Sequence, residues 1–172
     1  LQGAADTSWI AVSGCAADFT NCTVAPGSRL WVRAKLRNNS GSNVGAFNLS
    51  HRWRYNGGSY VTLTGSYVNG LMVVGTGSQP GTVLSDGTAT TQDQLTSNES
   101  TNVACLASRS TGSIPSLTLV DASESECAQG IDISTSATPG DTYEYCPHKD
   151  DGTALTCATP IKLTVGSYGG VR

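Results

Sequence analysis

The sequence predicts an all-β fold: a two-sheet antiparallel β-sandwich, immunoglobulin-like or jelly-roll-like, with about ten strands. Three observations carry that expectation. Apolar and polar residues alternate with period two in several stretches, whereas Gly, Pro, Ser and Thr interrupt every window long enough for three helical turns. Charged residues make up 13% of the chain, against roughly 25% in an average soluble protein, and Ser, Thr, Gly and Asn fill the difference. Six cysteines in 172 residues sit in polar, turn-rich sequence, which suits an oxidising compartment and a disulfide framework.

Taken in order, residues 8–12 make the first short expected strand. Residues 30–37 alternate strictly, with Leu30, Val32, Ala34 and Leu36 on one face and Trp31, Arg33, Lys35 and Arg37 on the other. One face is expected in the core and the other in water. Residues 47–55 repeat the pattern: Phe47, Leu49, His51, Trp53 and Tyr55 alternate with Asn48, Ser50, Arg52 and Arg54. Asn56-Gly57-Gly58 then supplies the positive-φ residues of a hairpin turn, and residues 60–64 return as its second arm. Shorter strands are expected at residues 67–74, 103–107, 116–120, 131–134, 142–146 and 161–165. Pro26-Gly27, Asp86-Gly87, Pro139-Gly140 and Asp151-Gly152 mark turns. Residues 75–100 hold few large apolar side chains and read as a long loop or weak edge region. A chain of this length fits one domain, so the organisation expected is an N-terminal strand or arm, 1–13, exchangeable with a neighbour, followed by a single sandwich domain, 14–172.

The segments Leu30-Trp31-Val32-Arg33-Ala34-Lys35-Leu36-Arg37-Asn38, Ser50-His51-Arg52-Trp53-Arg54-Tyr55-Asn56-Gly57-Gly58-Ser59-Tyr60, Asp86-Gly87-Thr88-Ala89-Thr90-Thr91 and Pro139-Gly140-Asp141-Thr142-Tyr143-Glu144-Tyr145 resemble a β-sandwich module. Such modules recur in uncharacterised secreted and cell-surface proteins of bacteria and environmental prokaryotes. The resemblance implies an extracellular sandwich and brings no catalytic residues with it. The cysteines at 15, 22, 127 and 157 depart from the pattern and suggest a free-standing, hardened version.

Sequence proximity favours pairing Cys15 with Cys22, Cys105 with Cys127 and Cys146 with Cys157 among the connectivities that six cysteines allow. A metal site is the competing use, but Cys-x-x-Cys is absent and the histidines are only His51 and His148; no metal and no cofactor are expected. The longest apolar run, Val103-Ala104-Cys105-Leu106-Ala107, falls far short of the eighteen or so residues of a membrane helix. The sequence opens Leu1-Gln2-Gly3 without a basic or apolar leader, so a signal peptide is expected to have been removed. With the cysteines, this predicts an extracellular or cell-surface location. Four sequons make Asn21, Asn38, Asn48 and Asn98 glycosylation candidates.

No hydrolytic motif surrounds either histidine: His51 reads as a half-buried strand residue and His148 as a solvated turn residue. The carboxylate pairs Glu124 and Glu126, Asp141 and Glu144, and Asp150 and Asp151 all fall in or beside expected turns. Asp150-Asp151-Gly152-Thr153 lacks the alternating ligands of a calcium loop. An enzyme is therefore not expected. Charge is distributed unevenly, at +4 over residues 1–80 and −7 over residues 81–172. The basic set is Arg29, Arg33, Lys35, Arg37, Arg52 and Arg54, and its first four members form a ladder on one strand face and its lead-in. An acidic chain of pI 5.2 argues against nucleic acid as its partner. The expectation is a structural subunit of an extracellular filament, pilus-like appendage or surface layer. It would assemble with itself by strand addition through the arm (Trp9, Ile10, Val12) and by charge complementarity between halves. The alternative is a carbohydrate-binding or adhesin module that meets glycans through Trp31, Tyr60, Tyr143 and Tyr145.

Overall fold

The computed structural model describes residues 22–73, 87, 89–90, 101–108, 113–155, 157 and 160–167. The expected strand at 8–12 and most of 75–100 lie outside these. Eleven strands and no helix occur among the described residues: β1 (Cys22–Val24), β2 (Arg29–Asn38), β3 (Val44–Tyr55), β4 (Val61–Thr62), β5 (Leu71–Val73), β6 (Thr101–Asn102), β7 (Ala107–Ser108), β8 (Ser113–Leu119), β9 (Ser123–Ile133), β10 (Thr142–Lys149) and β11 (Ile161–Val165). They form two sheets. The first runs β1-β11-β10-β3-β4 with β8 also on β3; the second runs β2-β9-β5 with β6 and β7 also on β9. Pairing is not antiparallel throughout, because β1 joins β11 in parallel, as do β6 and β7 with β9.

The core lies between the sheets. Leu30, Val32, Leu71, Ile131 and Ile133 of the second sheet meet Trp53, Tyr143, Tyr145, Leu163 and Val165 of the first in one buried cluster. A second cluster joins Leu36, Cys105 and Cys127 to Leu49, Ile114, Leu117 and Leu119. Burying each such aliphatic side chain stabilises the fold by about 1.5–3 kcal/mol. Two turns that position the strands follow their glycine chemistry. Asn56 and Gly57, at φ 45 and 74, make the tight turn from β3 toward β4. Gly152, at φ 91, turns the chain after β10, where Gly152 N donates to Lys149 O.

The largest departure from the sequence reading is β9. Residues 131–134 were the expected strand; the actual one has eleven residues, all buried, and lies at the centre of its sheet. Its first eight residues, Ser-Glu-Ser-Glu-Cys-Ala-Gln-Gly, carry polar groups on both faces, so no apolar period announces it. Glu124 and Glu126 consequently do not sit beside a turn, and neither is accessible to solvent.

β2 explains how they are accommodated. It pairs antiparallel with β9 over ten consecutive residue pairs, from Arg29 opposite Asp132 to Asn38 opposite Ser123. The ladder face of β2 is therefore not uniformly wet: Trp31 and Arg33 are buried and Lys35 is half-buried, while Arg29 and Arg37 are exposed. Arg33 Nη1 donates to Glu126 Oε2 at 2.8 Å, with side chains 1% and 0% exposed. Lys35 Nζ reaches Glu124 Oε1 at 3.2 Å and Arg29 Nε reaches Asp132 Oδ2 at 2.7 Å. The Trp31 ring lies over Gly130, its cross-strand partner, where a Cβ would meet the ring at 3.6 Å.

Two expected disulfides are present. Cys105–Cys127 fastens the segment between β6 and β7 to β9, and Cys146–Cys157 closes the excursion after β10. Cys22 is also disulfide-bonded; its expected partner, Cys15, lies outside the described residues.

A buried ion pair gains little over apolar packing, yet losing one member strands the other without water. Arg33→Met alone is expected to cost about 3–5 kcal/mol, and adding Glu126→Leu should recover a large part of that loss. A double-mutant cycle on urea unfolding measures the coupling; a double mutant no more stable than Arg33→Met alone would show that the pair is not coupled.

Candidate functional site

Three groups of side chains compete as sites: the basic set, the aromatics, and the polar patch on the outer face of the first sheet.

Most of the basic set serves the fold. Besides the pairs on β2, Arg54 of β3 donates through Nε and Nη2 to Glu144 Oε2 of β10, its direct cross-strand neighbour. Four acidic residues of the second half thus pair with four of the six basic residues of the first half within one chain. This corrects the view of Arg29, Arg33, Lys35 and Arg54 as cations held ready for the next subunit. A sequence signal for it did exist: Arg33 and Lys35 alternate on one strand as Glu124 and Glu126 do on the other. Arg37, opposite Glu124, ends the row at the surface. Trp9, Ile10 and Val12 lie outside the described residues.

The aromatics are mostly interior. Trp31, Tyr143 and Tyr145 are buried, so three of the four side chains considered for sugar stacking cannot present a face. Tyr60 is half-buried and packs against His148, with ring centroids 5.1 Å apart, while the Arg54 guanidinium carbon stands 5.1 Å from its centroid.

Both histidines differ from expectation. His51 is fully rather than half buried. Its Nδ1 shares a hydrogen bond with the Tyr145 hydroxyl, whose proton burial holds firmly by raising the phenol's pKa. Beside this pair Trp53 Nε1 donates to Gln129 Oε1 at 2.8 Å, a polar bridge from one sheet to the other. Burial lowers the His51 pKa from 6.5 to about 3, so the ring is neutral near pH 7. His148 lies in β10 rather than in a turn, is buried, and donates from Nδ1 to the Cys146 carbonyl at 2.9 Å.

Of the sequons, Asn38 is corrected. It is buried, and its Nδ2 donates to the carbonyls of Ser42, Leu119 and Val120, so the nitrogen a glycan would occupy clasps two loops together. Asn48 is exposed; its Nδ2 donates to Asp150 Oδ2 and its Oδ1 accepts from Ser116 N. Asn21 and Asn98 lie outside the described residues.

On the outer face of the first sheet, Arg52 stands between Thr62 of β4 and Cys146 of β10, half-buried, with its guanidinium against Gly152. Asp150 and Asp151, exposed in the same turn, accept from Asn48 Nδ2 and Thr153 N respectively. The Thr153 hydrogen bonds are the main reason the Asp151 carboxyl titrates below its ordinary value, and the charges of Lys149 and Arg52 add to the effect. Among the described residues no three His, Cys, Asp or Glu side chains converge as metal ligands would, and no helix is long and apolar enough to cross a membrane.

No family model matches the chain, and no curated protein or solved structure gives a significant match.

His51 makes stability depend on pH with a definite sign. The unfolded ring takes up a proton near pH 6.5 and the folded one only near pH 3, so the stabilisation is complete above 6.5 and is lost as the pH falls toward 3. Between pH 7 and pH 4.5 the folding free energy should drop by about 2 to 3 kcal/mol, and His51→Gln should remove that slope. Urea midpoints at the two pH values measure it; equal slopes in both proteins would place the effect elsewhere.

Proposed function

We propose that the chain is a structural β-sandwich module of an extracellular appendage or surface layer, of the kind its sequence motifs resemble. In this reading three disulfides, Cys15–Cys22 included, harden it. Residues 1–13 join it to a neighbouring copy by adding a strand.

The observation that supports this most is the use made of ionisable groups along the β2–β9 ladder. Ten consecutive residue pairs carry the ion pairs Arg29–Asp132, Arg33–Glu126 and Lys35–Glu124, and Cys105–Cys127 fixes the central strand to a second segment. Strand ends tied by many hydrogen bonds, buried charges and a covalent link are what a load-bearing subunit needs. The same ladder changes the assembly mechanism expected from charge alone. With these cations satisfied inside the chain, contact between copies falls to the arm and not to electrostatic attraction.

Negative-stain microscopy of the full chain and of a chain lacking residues 1–13 tests the reading. Filaments or sheets are expected from the full chain only. They should persist at about 1 M salt, where the screening length is near 3 Å. Discrete particles from both chains would overturn the proposal, and polymers that dissolve in salt would return assembly to charge complementarity.

A further inference from the structure

We infer that a bulge at Pro115 and Ser116 closes the edge of β8 to a second copy of the chain, so that the first sheet does not grow from one copy into the next. Among the described residues that sheet ends on three strands: β1 of three residues, β4 of two, and β8 of seven, which pairs with β3 alone. An edge strand presents a row of N–H and C=O groups that another chain can pair with. β1 and β4 offer few rungs for such a ladder. β8 is long enough to offer one, and Pro115, Ser116 and Thr118 on it are exposed.

The strand is irregular at its middle. From the pair Phe47–Leu117 to the pair Leu49–Ile114, β3 advances two residues and β8 three. One extra residue on one strand is a bulge, which bends the strand and interrupts its ladder. Burial marks the same place: Ile114, Leu117 and Leu119 are buried, so the first step along the core face takes three residues and the next takes two. Pro115 has no N–H to give to a second ladder. Ser116 takes φ 55, in the left-handed region that departs from an extended course. Neighbouring side chains hold that conformation. Ser116 N donates to Asn48 Oδ1 at 3.1 Å, and Asn48 Nδ2 donates to Asp150 Oδ2 at 2.9 Å, in the turn that Cys146–Cys157 closes. At the far end of β8 the Asn38 amide takes the carbonyls of Leu119 and Val120. Between bulge and clasp only Leu117 and Thr118 remain as regular edge, less than the usual length of a strand. The inference does not depend on assembly through the arm: a monomeric chain carries the same closed edge.

Hydrogen exchange of the full chain at low and high protein concentration, read by mass spectrometry in the peptide spanning β8, tests it. In the unmodified chain the β8 amides are expected to exchange at the same rate at both concentrations. Pro115→Thr with Ser116 deleted lets β8 match β3 residue for residue and gives it a continuous edge. Its β8 amides should exchange at least about tenfold more slowly at high concentration, as a second copy pairs there. Pro115→Thr alone keeps the residue count of the bulge; it should slow exchange less, in the same direction, and it decides the matter where the deletion does not fold. Slower exchange at high concentration in the unmodified chain would overturn the inference. So would unchanged exchange in the folded deletion variant, or in Pro115→Thr where the deletion does not fold.

Discussion

A carboxylate removed from water remains ionised only where a cation follows it inside. Glu124 and Glu126 impose that condition on the second sheet, and Lys35 and Arg33 meet it. Much of the architecture follows. The two strands run antiparallel, and the alternating bases of one meet the alternating acids of the other. The register is fixed as well: a slip of one residue would turn Arg33 toward the core and Leu36 away from it. Against an apolar pair of the same shape, such buried ion pairs add little net stability.

How legible the fold was in the sequence depended on where each strand's apolar residues stood. β2 and β3 were readable because Leu30, Val32 and Leu36, or Leu49, Trp53 and Tyr55, mark one face with period two. β9 was readable only at Ile131–Ile133. Its core face elsewhere is Ser125, Cys127 and Gln129, and its outer face has two glutamates, so composition pointed to a turn. β1, three residues long and paired in parallel with β11, offers too short a pattern to detect. The cysteine pairs 105–127 and 146–157 followed from proximity, while the parallel additions of β6 and β7 to β9 left no sequence mark.

The site residues divide in the same way. Alternation placed His51 in the row with Leu49 and Trp53, and its complete burial depended on Tyr145 of β10 covering it. Arg52 and Arg54 look equivalent in sequence, two apart on one face. They part only because Glu144 stands directly opposite Arg54, whereas Arg52 faces Cys146. Asn38 belongs to a well-formed sequon, but three backbone carbonyls claim its amide. In each case the deciding partner is about 80 to 100 residues away along the chain, beyond the reach of any local pattern.

That same separation governs how the molecule is made. β2 leaves the ribosome carrying Arg33 and Lys35, and their counter-ions follow only after roughly ninety more residues, since Arg33 and Glu126 are 93 positions apart. Until then the second sheet has no central strand to grow on. Domains dominated by such non-local pairing fold slowly, because loop closure must precede the contacts that reward it. The N-terminal half therefore cannot complete its fold until the C-terminal half has been made. For a chain destined for an oxidising compartment, this delay keeps early cysteines such as Cys22 open to non-native partners before the sheets are in place. The late arrival of β9 is thus the step that closes the second sheet and brings Cys105 and Cys127 within reach of each other.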